Sequence, residues 1–324
     1  RLLIDSIQDT IQNGQQCVLL LNRRGYSTFV ICRDCGYAAE CPYCDISLTY
    51  HKQRQILKCH YCNFETSVPT VCPECKSKHI RFFGTGTQKA EEELLKIIPE
   101  ARIIRMDVDT TSRKGAHEQL LTAFFNKQAD VLLGTQMIAK GLDFPDVTLV
   151  GVINADTMLH LPDFRSAERT FQLLTQVAGR AGRRQLTGKV IIQTYTPEHY
   201  SIQYASRHQY HAFFNREMKL RKAHAYPPYY FLTSIIVSHQ DLMKVIAASE
   251  RIKNMLVTHL SNHAIVLGPS ACVIPRMKDR YRYQCMIKYK NEPKLHDTLQ
   301  MILAHFEHER DLVISIDQNP QLFM

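Results

Sequence analysis

The sequence predicts an α/β fold: a parallel sheet covered by helices, interrupted by a module that holds two zinc ions, and followed by a small α+β domain. Three observations predict this class. Short apolar runs alternate with helical patterns up to about residue 199. Eight of the eleven cysteines stand in Cys-x-x-Cys pairs between Cys32 and Cys75, and the order of strands and helices changes after about Tyr229.

Composition limits the function classes. At 324 residues the chain is too long for one ordinary domain, and its 45% of hydrophobic residues is ample for folded cores. No run approaches a membrane span and the N-terminus is not a signal peptide, so we expect a cytoplasmic protein. The net charge of +9 and the pI near 9.0 permit a polyanionic partner. The chain begins at Arg1 inside a helical pattern, which suggests a piece of a longer protein.

The first part of the chain is predicted to form the parallel sheet. After an opening helix, residues 17–22 are a short apolar run typical of a buried parallel strand. Alternation of such strands with helices is typical of a parallel sheet with helices on its faces. Further strands are predicted at 27–31, 80–83, 102–106, 131–134, 147–153 and 189–194, and helices at about 88–98, 112–125 and 166–178.

The last part of the chain follows a different order, namely strand, helix, strand, strand, helix, strand. The predicted bounds are 231–238, 241–259, 264–274, 283–289, 293–308 and 312–317. This split β-α-β-β-α-β order predicts a separate small domain. The domains are therefore expected at 1–31 with 76–199 for the sheet-containing lobe, 32–75 for the zinc insertion, 200–228 for a helical linker and 229–324 for the C-terminal α+β domain.

Four Cys-x-x-Cys pairs predict two zinc sites with four cysteines each. A two-residue gap lets both thiolates of a tight turn point at one ion, and tetrahedral zinc requires two such turns. Disulfides are the weaker interpretation, because nothing in the chain indicates export. The pairs are Cys32/Cys35, Cys41/Cys44, Cys59/Cys62 and Cys72/Cys75.

Four turns can be joined in three ways, and a predicted hairpin over residues 46–58 favours one of them. A hairpin brings its two ends together, so the pairs that flank it should share an ion. His51 and His60 could substitute as ligands, but eight cysteines already suffice and we predict that neither histidine binds metal. The nested arrangement gives an inner cluster of Cys41, Cys44, Cys59 and Cys62 and an outer cluster of Cys32, Cys35, Cys72 and Cys75.

The string Gln176-Val-Ala-Gly-Arg-Ala-Gly-Arg183 indicates a phosphate contact. Arg180 and Arg183 are three residues apart at the end of a predicted helix, and such arginines suit a γ-phosphate. The alternative is a solvated basic helix end, favoured by the helix dipole. The small residues around the arginines argue against this alternative, because a turn that is only solvated does not require small side chains.

Two strand-to-helix junctions are further candidates for phosphate contact. Thr135 opens the string that runs from Gly134 to Pro145 directly after a buried strand, a natural position for nucleotide or nucleic-acid phosphate. The alternative for Thr135 is an ordinary N-cap. Thr87 ends the shorter string Gly84-Thr-Gly-Thr, for which a capping role is an equally good explanation.

Together these motifs resemble the second, RecA-like motor lobe of superfamily 2 helicases. Residues 176–183 are similar to the arginine-finger motif, and residues 135–145 to the motif that couples nucleic acid to nucleotide. The cysteine-rich insertion after residues 22–26, the Tyr-Pro-Pro-Tyr run at 226–229 and the closing domain narrow the resemblance to the bacterial primosomal protein N′ (PriA) family of replication-restart helicases. The resemblance covers essentially the whole chain.

The resemblance implies roles for individual residues. Arg183 would be the arginine finger, Arg180 a second γ-phosphate contact, and Gln176 a bridge between nucleotide and motor core. The remaining implied contacts are Gly141 and Asp143 with the nucleotide, and Thr87 and Thr135 with DNA phosphates.

The resemblance also implies the activity and the partners. The family couples hydrolysis of ATP with Mg²⁺ to 3′→5′ unwinding of DNA at abandoned forks, and then loads the replicative helicase. The implied partners are forked and single-stranded DNA, primosome and helicase-loading proteins, and single-stranded-DNA-binding protein. No Gly-x4-Gly-Lys-Ser/Thr and no Asp-Glu-x-His string occurs in the chain. We therefore expect the C-terminal half of such an enzyme, which alone hydrolyses essentially no ATP.

A basic string between two predicted strands of the last domain is a candidate DNA contact. Residues 275–283 carry Arg276, Lys278, Arg280 and Arg282 together with two tyrosines. Basic side chains can follow a phosphate backbone while tyrosines stack on unpaired bases. The alternative is a solvated hairpin tip.

Two other functions remain open at this stage. One is a zinc-stabilised DNA-binding or protein-docking scaffold with no role in ATP hydrolysis, although such a scaffold has no need of both Arg180 and Arg183. The other is a motor of the same superfamily that acts on RNA. Residues that follow phosphates do not separate DNA from RNA, so only the family resemblance points to DNA.

Overall fold

The structure is a computed structural model that describes residues 1–21, 29–51, 54–82, 87–107, 110–113, 115–135, 138, 144–179, 181 and 187–321. The N-terminal elements are α1 (Leu2–Gln12), β1 (Gln16–Leu21), β2 (Val30–Cys32), β3 (Thr49–His51), β4 (Ile56–Lys58), β5 (Glu65–Ser67), β6 (Ile80–Phe82), α2 (Thr87–Ile97), β7 (Ile103–Met106), α3 (Ala116–Phe125), β8 (Val131–Gly134), β9 (Val147–Asn154), α4 (Asp156–Leu159), α5 (Ser166–Ala178) and β10 (Lys189–Ile192). They are followed by α6 (Tyr200–Ser206), α7 (Tyr210–Ala223), β11 (Phe231–His239), α8 (Leu242–His259), β12 (Ile265–Met277), β13 (Arg280–Tyr289), α9 (Leu295–Phe306) and β14 (Val313–Gln318).

The lobe is built on a five-stranded sheet in the order β10-β9-β1-β8-β7. Every neighbouring pair in it is parallel, and all six residues of the central strand β1 are buried. One face of the sheet packs under α1 and α2 through residues such as Leu3 and Leu94, and the other packs under α3 to α6. The predicted parallel sheet covered by helices is confirmed, but the strands predicted at 27–31 and 80–83 are not part of it, because β2 and β6 pair with each other instead.

The cysteine-rich insertion leaves the lobe through a narrow neck. Its entering and leaving strands, β2 and β6, form a separate antiparallel ribbon. Inside it, β3 and β4 form the hairpin predicted between the two middle cysteine pairs, and β5 adds a third antiparallel strand that was not predicted.

The C-terminal domain has an antiparallel sheet in the order β12-β13-β11-β14. Its core lies between this sheet and the helices α8 and α9. The predicted strand and helix order is confirmed, with bounds that differ by a few residues. Between the lobe and this domain lie α6 and α7, in the predicted linker. Among the described helices, none is both long and apolar enough to cross a membrane.

Candidate metal centres and candidate nucleotide and DNA surfaces

All four Cys-x-x-Cys turns have the same backbone geometry. In each, the N–H of the first cysteine donates to the carbonyl five residues later, at 2.8 Å. The N–H of the residue after the second cysteine donates back to the carbonyl of the first. That residue has a positive φ in every turn, which glycine, asparagine and aspartate tolerate best. The four residues are Gly36 (φ 77°), Asp45 (51°), Asn63 (69°) and Lys76 (60°).

The turns bring the sulfur atoms together in the two groups of four that the nested arrangement predicts. Within each cluster all four Sγ atoms lie within 4.8 Å of one another. Cys32 and Cys75 are 3.6 Å apart, as are Cys35 and Cys72, and the Sγ atoms of Cys41 and Cys62 are 3.5 Å apart. Tetrahedral zinc with Zn–S bonds of about 2.3 Å needs sulfur separations of about 3.8 Å. The residues therefore fit two zinc ions with four thiolates each.

The inner cluster lies inside the protein. Three of its four cysteines are buried, and they belong to a core that also contains Tyr226 of the linker and Met286 of β13. The Tyr226 hydroxyl donates to the Cys44 carbonyl at 2.5 Å, while its ring stacks on Phe164 of the lobe at 4.4 Å. The inner cluster is thus enclosed by the lobe, the linker and the C-terminal domain.

His60 joins the inner cluster to the C-terminal domain. Its carbonyl accepts from the Gln284 amide at 2.8 Å and from the Ser270 hydroxyl, and its Nδ1 lies 2.8 Å from the Ala271 carbonyl. Burial lowers the pKa of His60 to about 4, so the ring is neutral. Neither His60 nor His51 belongs to the candidate ligand groups among the described residues. We refer to these contacts, with the Tyr226–Cys44 bond, as the seam.

The outer cluster lies at the neck and is half open to solvent. Cys35 and Cys75 are exposed, whereas Cys32 and Cys72 are buried. Asp34 accepts a hydrogen bond from Ser77 and lies 3.1 Å from His79, and the pKa of Asp34 is lowered by these two contacts. On the lobe side, a Cβ added to Gly36 would lie 2.2 Å from the Tyr195 carbonyl oxygen.

The predicted nucleotide contacts lie mostly outside the described residues. Arg180, Arg183, Gly141 and Asp143 all fall there. Gln176 is described and is exposed on the last turn of α5. The helix that leads into the arginine motif is therefore defined, and it packs on the sheet through its buried residues Phe171, Leu174 and Val177.

Thr87 and Thr135 lie near one edge of the sheet, close to the end of β7. Thr87 is 2% exposed and its hydroxyl donates to the Asp107 carboxylate at 2.7 Å. The Thr135 N–H donates to the Met106 carbonyl, next to Asp107, and Thr135 is also buried. In this structure both predicted phosphate contacts are therefore enclosed, and Asp107, which sequence reasoning missed, holds the Thr87 hydroxyl.

The predicted basic string forms a tight hairpin between β12 and β13. Its turn residues Lys278 and Asp279 both have positive φ, and Arg276 and Lys278 are exposed. Arg276 pairs with Asp279 at 3.1 Å, and its guanidinium lies 5.2 Å from the Tyr281 ring centroid. Arg280 is engaged differently, because its guanidinium donates to the carbonyls of Ser238 and Asp311. Arg282 is half-buried on β13.

The described residues thus form a parallel-sheet lobe that carries a cysteine-rich insertion and is followed by a small antiparallel domain. The comparisons with known proteins define the class of protein as a helicase C-terminal lobe with these two additions. A model of the helicase conserved C-terminal domain matches residues 70–185, a model of the PriA DNA helicase Cys-rich region matches residues 41–66, and one of the primosomal protein N C-terminal domain matches residues 222–321.

Curated relatives identify the family. Over 99% of this chain, the sequence is 60% identical to the replication restart protein PriA of Bacillus subtilis, of which it covers 40%. It is 49% identical to the protein of the same name from Synechocystis over 85% of this chain and 34% of that protein. The chain thus belongs to the PriA replication restart protein family. It spans about 40% of the length of the Bacillus relative, and the matching models are consistent with a C-terminal half.

Solved structures show a weaker likeness. The C-terminal domain of the DEAD-box protein Dbp5 matches 65% of this chain and 78% of its own at 12% identity, with a TM-score of 0.31. The Hef helicase domain of Pyrococcus furiosus matches 63% of this chain and 27% of its own at 16% identity, with a TM-score of 0.29. Scores this low carry no argument about function.

Proposed function

We propose that this chain is the C-terminal half of an ATP-dependent 3′→5′ DNA helicase, which recognises stalled or abandoned replication forks and restarts replication by primosome assembly. The observation that carries the proposal is the combination, in one chain, of the parallel-sheet lobe, the α5 helix that leads into the arginine motif, and the paired cysteine clusters. Family membership gives the same class of protein.

In this proposal the longer parent protein has a first motor lobe, outside this chain, that binds the nucleotide. This chain contributes positive charge to that nucleotide and helps to position it. Arg183 and Arg180 stabilise the transferring γ-phosphate, Gln176 bridges nucleotide and lobe, and Gly141 and Asp143 approach the nucleotide. ATP and Mg²⁺ are held by the first lobe, because no phosphate-cradling Gly-x4-Gly-Lys-Ser/Thr string occurs in these 324 residues. The isolated chain should therefore show no ATP turnover above background.

Each cysteine cluster holds one structural zinc ion in the proposal. Four thiolates leave no open coordination position, which is typical of structural rather than catalytic zinc. The inner ion fixes the turns whose Cys44 and His60 carbonyls accept the hydrogen bonds of the seam. Zinc would thereby hold the C-terminal domain in a defined position relative to the lobe.

ATP hydrolysis by the longer parent protein tests the motor role. Arg183→Ala should abolish fork-stimulated turnover and leave fork binding intact, because the guanidinium acts on transition-state charge. Arg184→Ala is the matched control, since it removes a neighbouring arginine outside the motif and should retain most turnover. Unchanged turnover in Arg183→Ala would overturn the motor role.

DNA binding by the basic hairpin is tested separately. Replacing Arg276 and Lys278 with Ala should weaken binding of forked DNA and flatten its salt dependence, because both side chains are exposed. Arg280→Ala is a useful contrast, since Arg280 is bonded to domain carbonyls and its loss should lower stability instead. A salt slope that stays unchanged in the double variant would refute the hairpin assignment.

The second candidate function is a zinc-stabilised scaffold that binds DNA or protein without a role in hydrolysis. The enclosed inner cluster favours it, because the module joins three parts of the chain. The Arg183→Ala experiment separates the two: a scaffold predicts unchanged turnover in the parent protein. Single-stranded-DNA-binding protein and primosome proteins are proposed partners in either case.

A further inference from the structure

The outer cluster pairs each of its exposed cysteines with a buried cysteine on the other side of the neck. Cys35 is exposed and its Sγ atom lies 3.6 Å from that of buried Cys72. Cys75 is exposed and its Sγ atom lies 3.6 Å from that of buried Cys32. Redox-sensing cysteines are accessible to solvent and often lie next to a second thiol that reacts with their oxidised form. The outer cluster contains this arrangement twice.

The two turns of the outer cluster are also held together by contacts that do not involve sulfur. Asp34, inside the first turn, accepts a hydrogen bond from Ser77 at 2.5 Å and lies 3.1 Å from Nδ1 of His79, and both partners follow the second turn. The strands β2 and β6 pair beside the turns, with Cys32 opposite Ile80. These contacts keep the four sulfur atoms close together when no metal ion links them.

The inner cluster is shielded from an oxidant in solution. None of its four cysteines, all of which are described, is exposed, and only Cys62 is partly accessible. Cys44 and Cys59 are fully buried in the core that the insertion shares with the linker and the C-terminal domain. Because oxidation of a thiol follows its exposure, an oxidant should react with the outer cluster before the inner one.

We propose that the outer cluster is a peroxide-sensitive switch, in which two disulfides across the neck, Cys35–Cys72 and Cys32–Cys75, replace the zinc ion. The inner cluster retains its ion under the same conditions. The inference rests on the proposed function for the presence of zinc, and on the sulfur positions for the pairing of the cysteines. The neck stays closed in both states, by metal–thiolate bonds when reduced and by disulfide bonds when oxidised.

The reaction balances with hydrogen peroxide as the oxidant. The thiolate of Cys35 attacks one peroxide oxygen, the O–O bond breaks, and a sulfenic acid and a hydroxide ion form. The thiolate of Cys72 then attacks the sulfenic sulfur, the S–O bond breaks, and a disulfide and a second hydroxide ion form. Cys75 and Cys32 react in the same way. Two peroxide molecules thus accept four electrons from four thiolates, and the zinc ion is released to water because it has lost its ligands.

Zinc release from the metal-loaded 324-residue chain tests the switch. Zinc is first measured per chain, and fewer than two ions would contradict the proposed function, while the disulfide products described next would still test the switch. Hydrogen peroxide is then added together with a chromogenic chelator. One of the two ions should be released, and dithiothreitol with added zinc should restore it. Release of both ions together, or of neither, would overturn the proposal.

Peptide mapping shows which sulfur atoms are joined. Cleavage after Lys and Arg places Cys32 on residues 25–33, the other cysteine of the first turn on residues 34–52, and both cysteines of the second turn on residues 59–76. The proposed bond to Cys75 joins the first peptide to the third. A disulfide within the first turn would join the first peptide to the second instead, and would overturn the proposal.

Two serine substitutions provide the matched comparison. Cys35→Ser removes one exposed thiol and should leave Cys72 reduced, while the Cys32–Cys75 bond still forms. Cys62→Ser removes the most accessible sulfur of the inner cluster and should leave both bonds across the neck in place. Loss of both bonds in Cys62→Ser would mean that oxidation begins at the inner cluster, and would overturn the proposal. Far-UV circular dichroism checks that both variants are folded.

Discussion

The two cysteine clusters have the same four-thiolate chemistry and the same turn geometry but different surroundings. The inner cluster is enclosed by parts of the chain that lie far apart in sequence, whereas the outer cluster has two exposed cysteines at the neck of the insertion. Metal-binding turns of the same geometry can therefore have different structural roles. The outer cluster lies where the insertion enters and leaves the lobe, and the inner cluster joins the insertion to the lobe, the linker and the C-terminal domain.

The largest expected difference between the two clusters is the loss of stability when one zinc ligand is removed from each. We expect Cys44→Ser to lower the free energy of unfolding by about 4 kcal/mol or more, because it removes a buried zinc ligand and disturbs the seam. Cys35→Ser, at an exposed position of the outer cluster, should cost about half as much. Urea unfolding, with zinc content measured per chain, checks both. Equal losses would show that the seam adds nothing to the inner site.

The outer cluster has its own sensitive position at Gly36. Gly36→Ala should cost about 2–3 kcal/mol, since a Cβ there meets the Tyr195 carbonyl oxygen at 2.2 Å and φ is +77°. Gly14→Ala is the matched control: its φ is +67° but a Cβ would have no atom within 4 Å. Its cost should therefore be limited to the backbone term of about 1 kcal/mol. Thermal melts compare the two, and equal costs would contradict the predicted contact with the lobe.

Acidic pH should weaken the contact between the insertion and the lobe near the inner cluster. Ser47, on the insertion, lies 3.3 Å from Nδ1 of His160, whose pKa is lowered to about 4 by burial, compared with about 6.5 in an unfolded chain. Between these pH values the unfolded chain binds more protons, so stability is complete above about pH 6.5 and falls as the pH drops towards 4.

For His160 alone, the loss of unfolding free energy should be about 2 kcal/mol from pH 7 to pH 5. His160→Gln should flatten this dependence. Urea unfolding at several pH values measures the slopes, and a slope that is the same in His160→Gln as in the unaltered chain would contradict the assignment.

The smallest expected effect concerns a single hydrogen bond of the seam. Tyr226→Phe keeps the ring stacked on Phe164 but removes the donor to the Cys44 carbonyl, at a cost of about 1 kcal/mol. Release of zinc to a chromogenic chelator should become faster for the inner ion and stay unchanged for the outer one. Tyr229→Phe, on an exposed ring, is the control. Faster release in both variants would indicate a general loosening instead.

The sequence predicts most of the fold because its signals are local. Buried strands such as β8 and amphipathic helices such as α5 were predicted with their observed bounds. The strand β5 was missed because it is three residues long, polar and largely exposed, and it exists only by pairing with β4. The four-residue helix α4 is too short to show a periodic pattern.

The cysteine clusters were predictable for the same reason, and a further signal was available. Gly36, Asp45 and Asn63 each follow the second cysteine of a pair, and these residue types favour the positive φ that the turns adopt. The seam could not be predicted, because its contacts depend on how separate parts of the chain pack together. His60 and Ala271 are 211 residues apart, and nothing in either local pattern indicates the other.

The separation of 211 residues between His60 and its partner strand also sets an order of events during synthesis. At about 5–20 residues per second, the ribosome needs on the order of 10–40 s to reach Ala271 after His60 has been made. The cysteine turns can bind zinc throughout that interval, while the carbonyls of Cys44 and His60 remain hydrated. Zinc therefore has time to bind before the C-terminal domain packs against the inner cluster. A newly made chain that lacks zinc during this interval would have to break the seam again before the inner cluster could bind the ion.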